Sequence, residues 1–268
     1  MLTKRVISAI IGIIILIAVV FGGNVFIRIG VALLSLVGLY ELFSVTGIIK
    51  KKGLALIGYL GALVIAVEDI IGRDKIIMFF YGYVILLAVY ILINHRKVSL
   101  QHIAIVFFAQ IYICYFFFHI VLTNALPYGN VFIWMIFLGA WTTDTFAYFT
   151  GMLLGKTHPW PYISPKKTLE GSIGGVVGCG LSFLLYGYIL QAFGGYRIHY
   201  TLLFLLGLLC SIISQIGDLT ASVIKRQYNV KDYGYIMPGH GGVLDRFDSI
   251  IFVAPLVYYF VKYINIII

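Results

Sequence analysis

The chain has 268 residues, of which 62% are hydrophobic and 11% are charged, and its formal net charge is +9. Its mean hydropathy of +1.04 lies far above that of soluble globular domains, which are about half apolar. This composition excludes a soluble enzyme and is typical of a protein embedded in a bilayer.

Apolar stretches long enough to cross about 30 Å of hydrocarbon, roughly 20 residues each, recur along the whole chain. The predicted fold class is therefore an all-α polytopic integral membrane protein. We predict about nine membrane-spanning helices, at residues 6–21, 25–48, 53–67, 76–93, 102–122, 131–154, 171–193, 200–224 and 249–267. The third is short, so a re-entrant segment is the alternative there. We expect one membrane domain over 1–268, in which 1–130 supply N-terminal helices and 131–268 supply the helices and cytoplasmic loops of the candidate site.

The positions of Lys and Arg predict the orientation, because loops retained in the cytoplasm carry an excess of them. With the N-terminus inside, the cytoplasmic segments contain Lys4, Arg5, Lys50, Lys51, Lys52, Arg96, Lys97, Lys156, Lys166, Lys167, Lys225, Arg226, Lys231 and Arg246. The opposite side contains Arg28, Arg73, Lys75, Arg197 and Lys262. This asymmetry places the polar loops 155–170 and 225–248 on the cytoplasmic face, where nucleotides are.

Three acidic residues, Glu41, Asp144 and Asp218, fall inside predicted helices. A carboxylate at the bilayer centre costs roughly 3 kcal/mol on insertion scales, so each needs a partner, water or a cation. We predict a structural role for Glu41. Asp144 is either a metal or substrate contact or a buried hydrogen-bond partner of a neighbouring helix.

Asp218 belongs to a polar stripe in the segment SIISQIGDLTASVIKR. Ser211, Ser214, Asp218, Ser222 and Lys225 follow one another at intervals of 3, 4, 4 and 3 residues, which places them along one face of a helix. The stripe predicts a shallow polar cavity that opens to the cytoplasm.

Asp245 and Asp248 lie three residues apart at the start of the last predicted helix, and a hairpin before it would return them to the level of Asp218. Three converging carboxylates repel one another, and Mg²⁺, bound through carboxylates and substrate phosphates, is the usual remedy. The alternative is that each aspartate pairs with an arginine or a lysine, or that it favours a helix N-terminus.

The preceding loop contains Gly239, Gly241 and Gly242, which permit positive φ and close approach of backbone N–H groups to an anion. Among them, His240 either orients the loop by a hydrogen bond or acts as a ligand or base.

The second polar loop, GKTHPWPYISPKKTLEG, contains Lys156, Lys166 and Lys167. Its GKT triplet is not a P-loop, because Thr150 stands where that motif needs glycine. The SPKKT segment is interpreted either as a phosphate clamp or as ordinary cytoplasmic charge.

Two flanking helices are predicted to border the cavity. Asp144 shares a helix face with Tyr148, Gly151 and Gly155. The following helix carries a seam of small residues that permits close packing, namely Gly171, Gly174, Gly175 and Gly178.

One long pattern resembles the signature of the phosphatidate cytidylyltransferases, the CDP-diacylglycerol synthases. It reads Ser222-x-x-Lys225-Arg226, Lys231-Asp232, and Pro238-x-His240-Gly241-Gly242-x-x-Asp245-Arg246-Phe247-Asp248. Met237 stands where the family usually has Leu, Ile or Phe, which is a conservative departure. SPKKTLEG and DTFAYFTG are also similar to the family, so the likeness covers roughly the C-terminal half, and the N-terminal half resembles it only in hydropathy.

The resemblance implies a nucleotidyltransferase that moves CMP from CTP to phosphatidic acid, giving CDP-diacylglycerol and pyrophosphate. It also implies a Mg²⁺ requirement, with a second cation of unknown identity, metal ligands at Asp218 and Asp245, and a homodimer in the inner cell membrane with its active site on the cytoplasmic face. The expected partners are CTP, phosphatidic acid and the lipid bilayer, with no nucleic acid.

The remaining candidate residues are assigned by charge and position. Lys225, Arg246, Arg226 and Lys167 would neutralise phosphate charge, and Asp248 would hold Arg246 or a lysine in place. The other predicted substrate contacts are Asp144, Lys166, Ser222, His240, Gly241 and Gly242.

Two alternative functions remain open. A CTP-dependent polyprenol or dolichol kinase would need a general base for its alcohol acceptor. An ion-coupled transporter also requires intramembrane carboxylates, but it predicts interrupted helices in two repeated halves, whereas the polar residues here lie mostly in the C-terminal half.

The charge asymmetry generates a topology prediction. Single cysteines introduced as Tyr162→Cys and Tyr235→Cys, in a variant without Cys114, Cys179 and Cys210, should resist an impermeant thiol reagent in intact cells and react after lysis. Labelling of both positions in intact cells would reverse the orientation.

Overall fold

The computed structural model describes residues 2–67, 75–237, 239 and 241–268, with the side chains of 2–9 left aside. In chain order its α-helices are α1 (Leu2–Phe21), α2 (Asn24–Val45), α3 (Lys52–Ile65), α4 (Ile76–Asn94), α5 (Leu100–Ala109), α6 (Phe116–Asn124), α7 (Gly129–Leu154), α8 (Leu169–Gly194), α9 (Tyr200–Gln227) and α10 (Leu244–Tyr263). Across these residues, extended pairing is limited to isolated bridges such as Met237 with Gly241. The all-α prediction is therefore confirmed.

Six helical stretches in the described part of the chain are long and apolar enough to cross a membrane: Asn24–Val45, Ile76–Asn94, Leu100–Asn124, Gly129–Leu154, Leu169–Gly194 and Tyr200–Gln227. The predicted count of about nine is not confirmed. The other three predicted spans are also helical, but they differ from these six in length or in charge. The α3 helix has only 14 residues, about 21 Å of rise, and the described side chains of α1 form a short apolar stretch, Ile10–Phe21. The α10 helix opens with charged residues and contains Pro255.

The chain forms two compact units, and the predicted division at residue 130 stays a prediction. The first consists of Met1–Leu122 and Tyr228–Arg246, and the second of Thr123–Gln227 and Phe247–Ile268. The glycine loop therefore folds with the N-terminal helices, although it lies late in the sequence. The expectation of one membrane domain over 1–268 stays a prediction.

The core of the first unit lies where α2 meets α3 and the π-helical turn Gln110–Tyr115 between α5 and α6. A Cβ added at Gly58 would lie 2.6 Å from the Phe43 ring, so glycine allows α3 to approach α2 closely. The buried Gln110 side chain donates a hydrogen bond to the carbonyl of Gly58 at 3.0 Å. This bond satisfies the buried NH₂ group of Gln110, which burial would otherwise penalise.

The second unit is built on α7, α8 and α9, which pack against one another. A Cβ added at Gly171 would lie 2.7 Å from the carbonyl oxygen of Ala147, and one at Gly174 or Gly178 would overlap Thr150 or Phe146. The α7 and α8 backbones are therefore in close contact along these glycines. The predicted glycine seam is confirmed as a packing feature.

The seam predicts opposite effects for two glycine substitutions. Gly178→Ala places a methyl group against the base of the Phe146 side chain, and overpacking of this kind typically costs about 1–3 kcal/mol. Gly82→Ala in α4 is the matched control, because a Cβ there meets nothing within 4 Å. Thermal unfolding in detergent should show a lower midpoint for Gly178→Ala and an unchanged or higher midpoint for Gly82→Ala. Equal midpoints for the two variants would contradict the packing assignment.

Candidate active site

The second unit contains a cavity of about 380 Å³ between α7, the 155–168 loop, α8 and α9. Its lining combines charged, small and apolar side chains: Asp144, Ala147, Tyr148, Gly151, Met152, Gly155, His158, Lys166, Lys167, Thr168, Gly171, Ser172 and Gln215. The predicted face of α7 is confirmed, since Asp144, Tyr148, Gly151 and Gly155 all line this cavity. Its chemistry suits a molecule with both an anionic and an apolar part.

The loop that carries the two lysines is fixed at its end by Thr168 and Glu170. The Thr168 hydroxyl caps α8 by accepting a hydrogen bond from the Gly171 N–H at 3.1 Å. The Glu170 carboxylate accepts hydrogen bonds from the N–H groups of Lys156 and Thr157 and from the Thr157 hydroxyl. Lys166 and Lys167 are therefore presented from an ordered loop, as a phosphate clamp requires.

Asp218 and Lys167 form an ion pair in which each side chain is 27% exposed. Arg226 also contacts this loop, since its Nε donates to the carbonyl of Ile163 at 3.4 Å. This pair agrees with the alternative prediction for Asp218, in which the aspartate pairs with an arginine or a lysine. The pair also holds the Lys167 ammonium group next to Asp218. An anionic substrate could replace the carboxylate as the partner of this lysine.

The polar stripe lies on α9, which is helical throughout Tyr200–Gln227, so the predicted common face is confirmed. Ser211 and Ser214 are fully buried, whereas Asp218, Ser222 and Lys225 are partly exposed. The side chain of α9 that lines the 380 Å³ cavity is Gln215, a neighbour of the stripe. The predicted cytoplasm-facing cavity along the stripe is not confirmed.

Asp248 lies in the first turns of α10 and is buried. A Cβ added at Gly217 of α9 would lie 2.7 Å from the Asp248 carbonyl oxygen, so the two backbones approach closely there. The Asp248 carboxylate accepts a hydrogen bond from the Ser249 N–H at 2.8 Å. It interacts electrostatically with Asp218 and Asp144, which repel it, and with Lys225, which attracts it.

The donor atoms near these carboxylates fit a hard cation such as Mg²⁺, which prefers oxygen ligands. Ser214 and Ser249 have buried hydroxyls that lack a hydrogen-bond partner among the described residues, whereas helical hydroxyls such as Thr143 and Ser182 bond to the carbonyl four residues earlier. Ser214 lies one turn before Asp218, and Ser249 follows Asp248. Within residues 2–67, 75–237, 239 and 241–268, no three His, Cys, Asp or Glu side chains are grouped to hold a metal. Serine, water or phosphate oxygens would have to complete a ligand set.

The glycine loop belongs to the first unit. Gly239 and Gly241 have φ values of +80° and +88°, so these two glycines adopt the positive φ that glycine was predicted to permit. The Met237 N–H donates to the Gly241 carbonyl at 3.0 Å. His240 lies outside the described residues. A cavity of about 590 Å³ adjoins the loop and is lined by Lys231, Asp232, Tyr235, Met237, Gly239, Gly241 and Arg246.

Asp245 fixes this loop from the start of α10. Its Oδ2 accepts hydrogen bonds from the N–H groups of Tyr233 at 2.8 Å and Gly242 at 2.9 Å. Asp245 also lies in the first turn of α10, as the helix-start alternative predicted. It leaves a metal-ligand role chemically open, because a carboxylate has about four acceptor positions on its two oxygens.

Glu41 of α2 makes the second contact to this loop. Its two carboxylate oxygens accept hydrogen bonds from the N–H groups of Val243 and Leu244, each at 2.8 Å. Glu41 is 1% exposed, so these bonds provide the partners that a buried carboxylate needs. The predicted structural role of Glu41 is confirmed, and its partners lie 202 and 203 residues away in the chain.

The two clusters belong to different units, with Asp245 in the first and Asp218 and Asp248 in the second. Their predicted convergence therefore stays a prediction. Sequence reasoning also missed some lining residues: His158 and Gln215 in one cavity, and Asp232 and Tyr235 in the other. Asp232 is part of the signature pattern, and this position could have identified it as a candidate site residue. The other three lie outside the signature pattern.

The fold and these clusters define a helical protein with several helices long and apolar enough to cross a membrane, whose lysines, carboxylates and glycine loop suit phosphate chemistry. The chain belongs to the cytidylyltransferase family, whose sequence model matches residues 3–264. This match shows that the likeness to the family is not confined to the C-terminal half, as the motifs alone indicated. The N-terminal helices, which include Glu41, are part of the family's domain.

Three relatives are similar over nearly their whole length, and each is named phosphatidate cytidylyltransferase. The protein of Bacillus subtilis (strain 168) is 35% identical over 269 residues, covering 96% of both chains. That of Staphylococcus saprophyticus is 35% identical over 260 residues, covering 94% of this chain and 96% of the relative. That of Staphylococcus aureus (strain COL) is 34% identical over 267 residues, with the same coverage.

Proposed function

We propose that this protein is a phosphatidate cytidylyltransferase, which transfers CMP from CTP to phosphatidic acid and releases pyrophosphate. The observation that carries the proposal is the 35% identity, over 96% of both chains, to a relative of that name. The signature residues from Ser222 to Asp248 support it, because the carboxylates, basic residues and glycines of that segment are the groups that a nucleotide and a phosphate would contact.

The reaction needs charge neutralisation and alignment more than proton transfer. An oxygen of the phosphatidic acid phosphate attacks the α-phosphorus of CTP, and the bond from that phosphorus to the bridging oxygen of the β-phosphate breaks. A phosphate monoester has a second pKa near 6, so the attacking group is mostly ionised at pH 7 and no general base is required. Pyrophosphate leaves with the electron pair of the broken bond.

The basic residues would bring the two anions together. Lys166 and Lys167 line the 380 Å³ cavity, whose apolar wall of Tyr148 and Met152 suits the part of a lipid next to its phosphate. Arg246 lines the 590 Å³ cavity of the first unit beside the glycine loop, and its charge suits a triphosphate. Lys225 and Arg226, at the end of α9, would neutralise further negative charge.

Polar and small residues of the signature complete the proposed contacts. Ser222 supplies a hydroxyl on the same face of α9 as Asp218. Gly241 and Gly242 let the loop backbone approach a phosphate, and we retain His240 as a substrate contact from the sequence. Asp144, at the wall of the 380 Å³ cavity, stays a candidate for a substrate or cation contact.

We assign Asp218 and Asp245 as the residues that would hold Mg²⁺, with Asp248 orienting Lys225. When bound, Mg²⁺ would supply positive charge for the phosphates and the leaving pyrophosphate. The unpartnered Ser214 and Ser249 hydroxyls support an oxygen-rich site in the second unit. The hydrogen bonds of Asp245 to the loop support a role in which one carboxylate both orders the glycine loop and presents negative charge.

The protein is proposed to be a homodimer in the inner cell membrane, with its active site on the cytoplasmic face. The apolar helices and the distribution of Lys and Arg support this location. Exposed apolar residues recur at intervals of four along α8, at Ile173, Val177, Leu181 and Leu185, as expected of a surface that meets lipid or another helix. The cytoplasmic face is also where CTP is available.

Acceptor specificity tests the proposal against the kinase alternative. Purified protein in detergent, given labelled CTP and Mg²⁺, should convert phosphatidic acid to a labelled lipid and leave a polyprenol unchanged. The ionised phosphate of phosphatidic acid needs no general base. The alcohol of a polyprenol would need one, and the proposed chemistry does not supply it. Conversion of the polyprenol alone would contradict the proposed function, and the protein inactivated by EDTA serves as the blank.

Charge removal tests the metal assignment. Asp218→Asn and Asp245→Asn keep side-chain size but remove the charge that would hold Mg²⁺, and loss of such a stabiliser costs about 3 to 4 kcal/mol, on the order of a hundredfold or more in rate. The two losses should not add if both residues serve one function. Activity of both single variants and the double variant is measured across a Mg²⁺ titration, with a sizing column to establish folding. Near wild-type activity in either single variant would return that aspartate to the ion-pair interpretation.

A further inference from the structure

Glu41 is the buried carboxylate that the proposed chemistry does not use. It is 1% exposed and lies on α2, far from the signature in sequence. Its hydrogen bonds go to the backbone of Val243 and Leu244, the two residues that precede Asp245. A side chain of the N-terminal helices thus contacts the segment that joins the glycine loop to α10.

A carboxylate suits this position because α10 begins at Leu244, and the first N–H groups of a helix have no partner within the helix. Each oxygen of Glu41 accepts one of the two N–H groups. A glutamine side chain offers one acceptor oxygen and would turn its amide donor toward the other N–H. The positive end of the helix dipole also favours negative charge here.

Three consecutive N–H groups of the loop are held by two carboxylates. The Gly242 N–H donates to Asp245, and the next two donate to Glu41. Space for Glu41 depends on missing side chains, because a Cβ at Gly242 would lie 2.6 Å from its Oε1 and one at Gly234 would lie 2.8 Å from the same atom. The Glu41 carboxylate therefore lies between Gly234 and Gly242, in a space that a larger side chain at either position would occupy.

We propose that Glu41 is a positioning residue for cytidylyl transfer, which fixes the loop and the start of α10 and thereby sets the position of Asp245 and Arg246. The effect on turnover rests on the proposed function, whereas the effect on loop order does not. Glu41 acts through the backbone of Val243 and Leu244. The N-terminal helices thus contribute to the site by ordering a loop that comes about 200 residues later.

Two measurements on full-length protein in detergent test this role. Glu41→Gln should accelerate amide hydrogen exchange in peptides that cover 239–246 and leave exchange in α7, α8 and α9 unchanged. In the acceptor assay, kcat should fall by about ten- to hundredfold, the scale expected when reacting groups are misplaced by about 1 Å, with KM for both substrates within about twofold of wild type. Gly234→Ala, which crowds the same carboxylate, should give the same pattern, and the double variant should be no worse than the more impaired single variant.

Ser44→Ala on α2 is the matched control, because the Ser44 hydroxyl bonds to the Tyr40 carbonyl of its own helix. It should leave both exchange and turnover unchanged. Faster exchange throughout the protein in Glu41→Gln, with normal turnover per folded molecule, would show a merely structural role and overturn the proposal. Wild-type exchange over 239–246 would overturn it as well. If wild-type protein proves inactive on phosphatidic acid, the proposed function fails, but the exchange result still decides whether Glu41 orders the loop.

Discussion

A carboxylate removed from water must gain a cation or several N–H donors, and this constraint governs the polar parts of an otherwise apolar chain. Glu41 meets it with the N–H groups of Val243 and Leu244 at the start of α10. Asp245 meets it with the N–H groups of Tyr233 and Gly242 in the loop, and Asp218 meets it with Lys167. Glu170, partly exposed at the start of α8, also accepts hydrogen bonds from N–H groups of the lysine-bearing loop. In each case the partner lies in a loop or at a helix end. The apolar helices offer these carboxylates few polar partners, so the carboxylates bond to the loops and thereby order them.

The two units contribute different chemistry. The second unit provides a cavity with lysines at one side and apolar side chains at the other, and its α9 helix carries Asp218 next to a buried hydroxyl. The first unit provides a glycine loop with two positive-φ residues, next to a cavity that includes a lysine and an arginine. A lipid phosphate and a nucleotide are both anions, but only the lipid has a long apolar part. The cavity with apolar side chains in the second unit therefore suits the lipid of the proposed reaction, and the glycine loop of the first unit suits the nucleotide.

The sequence predicted local features well. Helical periodicity placed the stripe on α9 and Asp144 on the face with Tyr148, and glycine spacing predicted the packing of α7 against α8. It failed where long-range contacts decide. The nine apolar stretches are all helical, but length and charge separate α3 and α10 from the six helices that could cross a bilayer. No periodicity could pair Glu41 with Val243, since the two meet only through tertiary folding, and Gly242 is needed for the space beside Glu41 and not for positive φ.

The fate of the two ends of CTP tests the central claim most directly. Wild-type protein is incubated with phosphatidic acid, Mg²⁺ and CTP labelled either at the α-phosphate or at the γ-phosphate, and the lipid and aqueous products are separated. Cytidylyl transfer predicts that the α label enters the lipid and that the γ label appears in pyrophosphate. Transfer of the γ label to the lipid would show kinase chemistry and contradict the account.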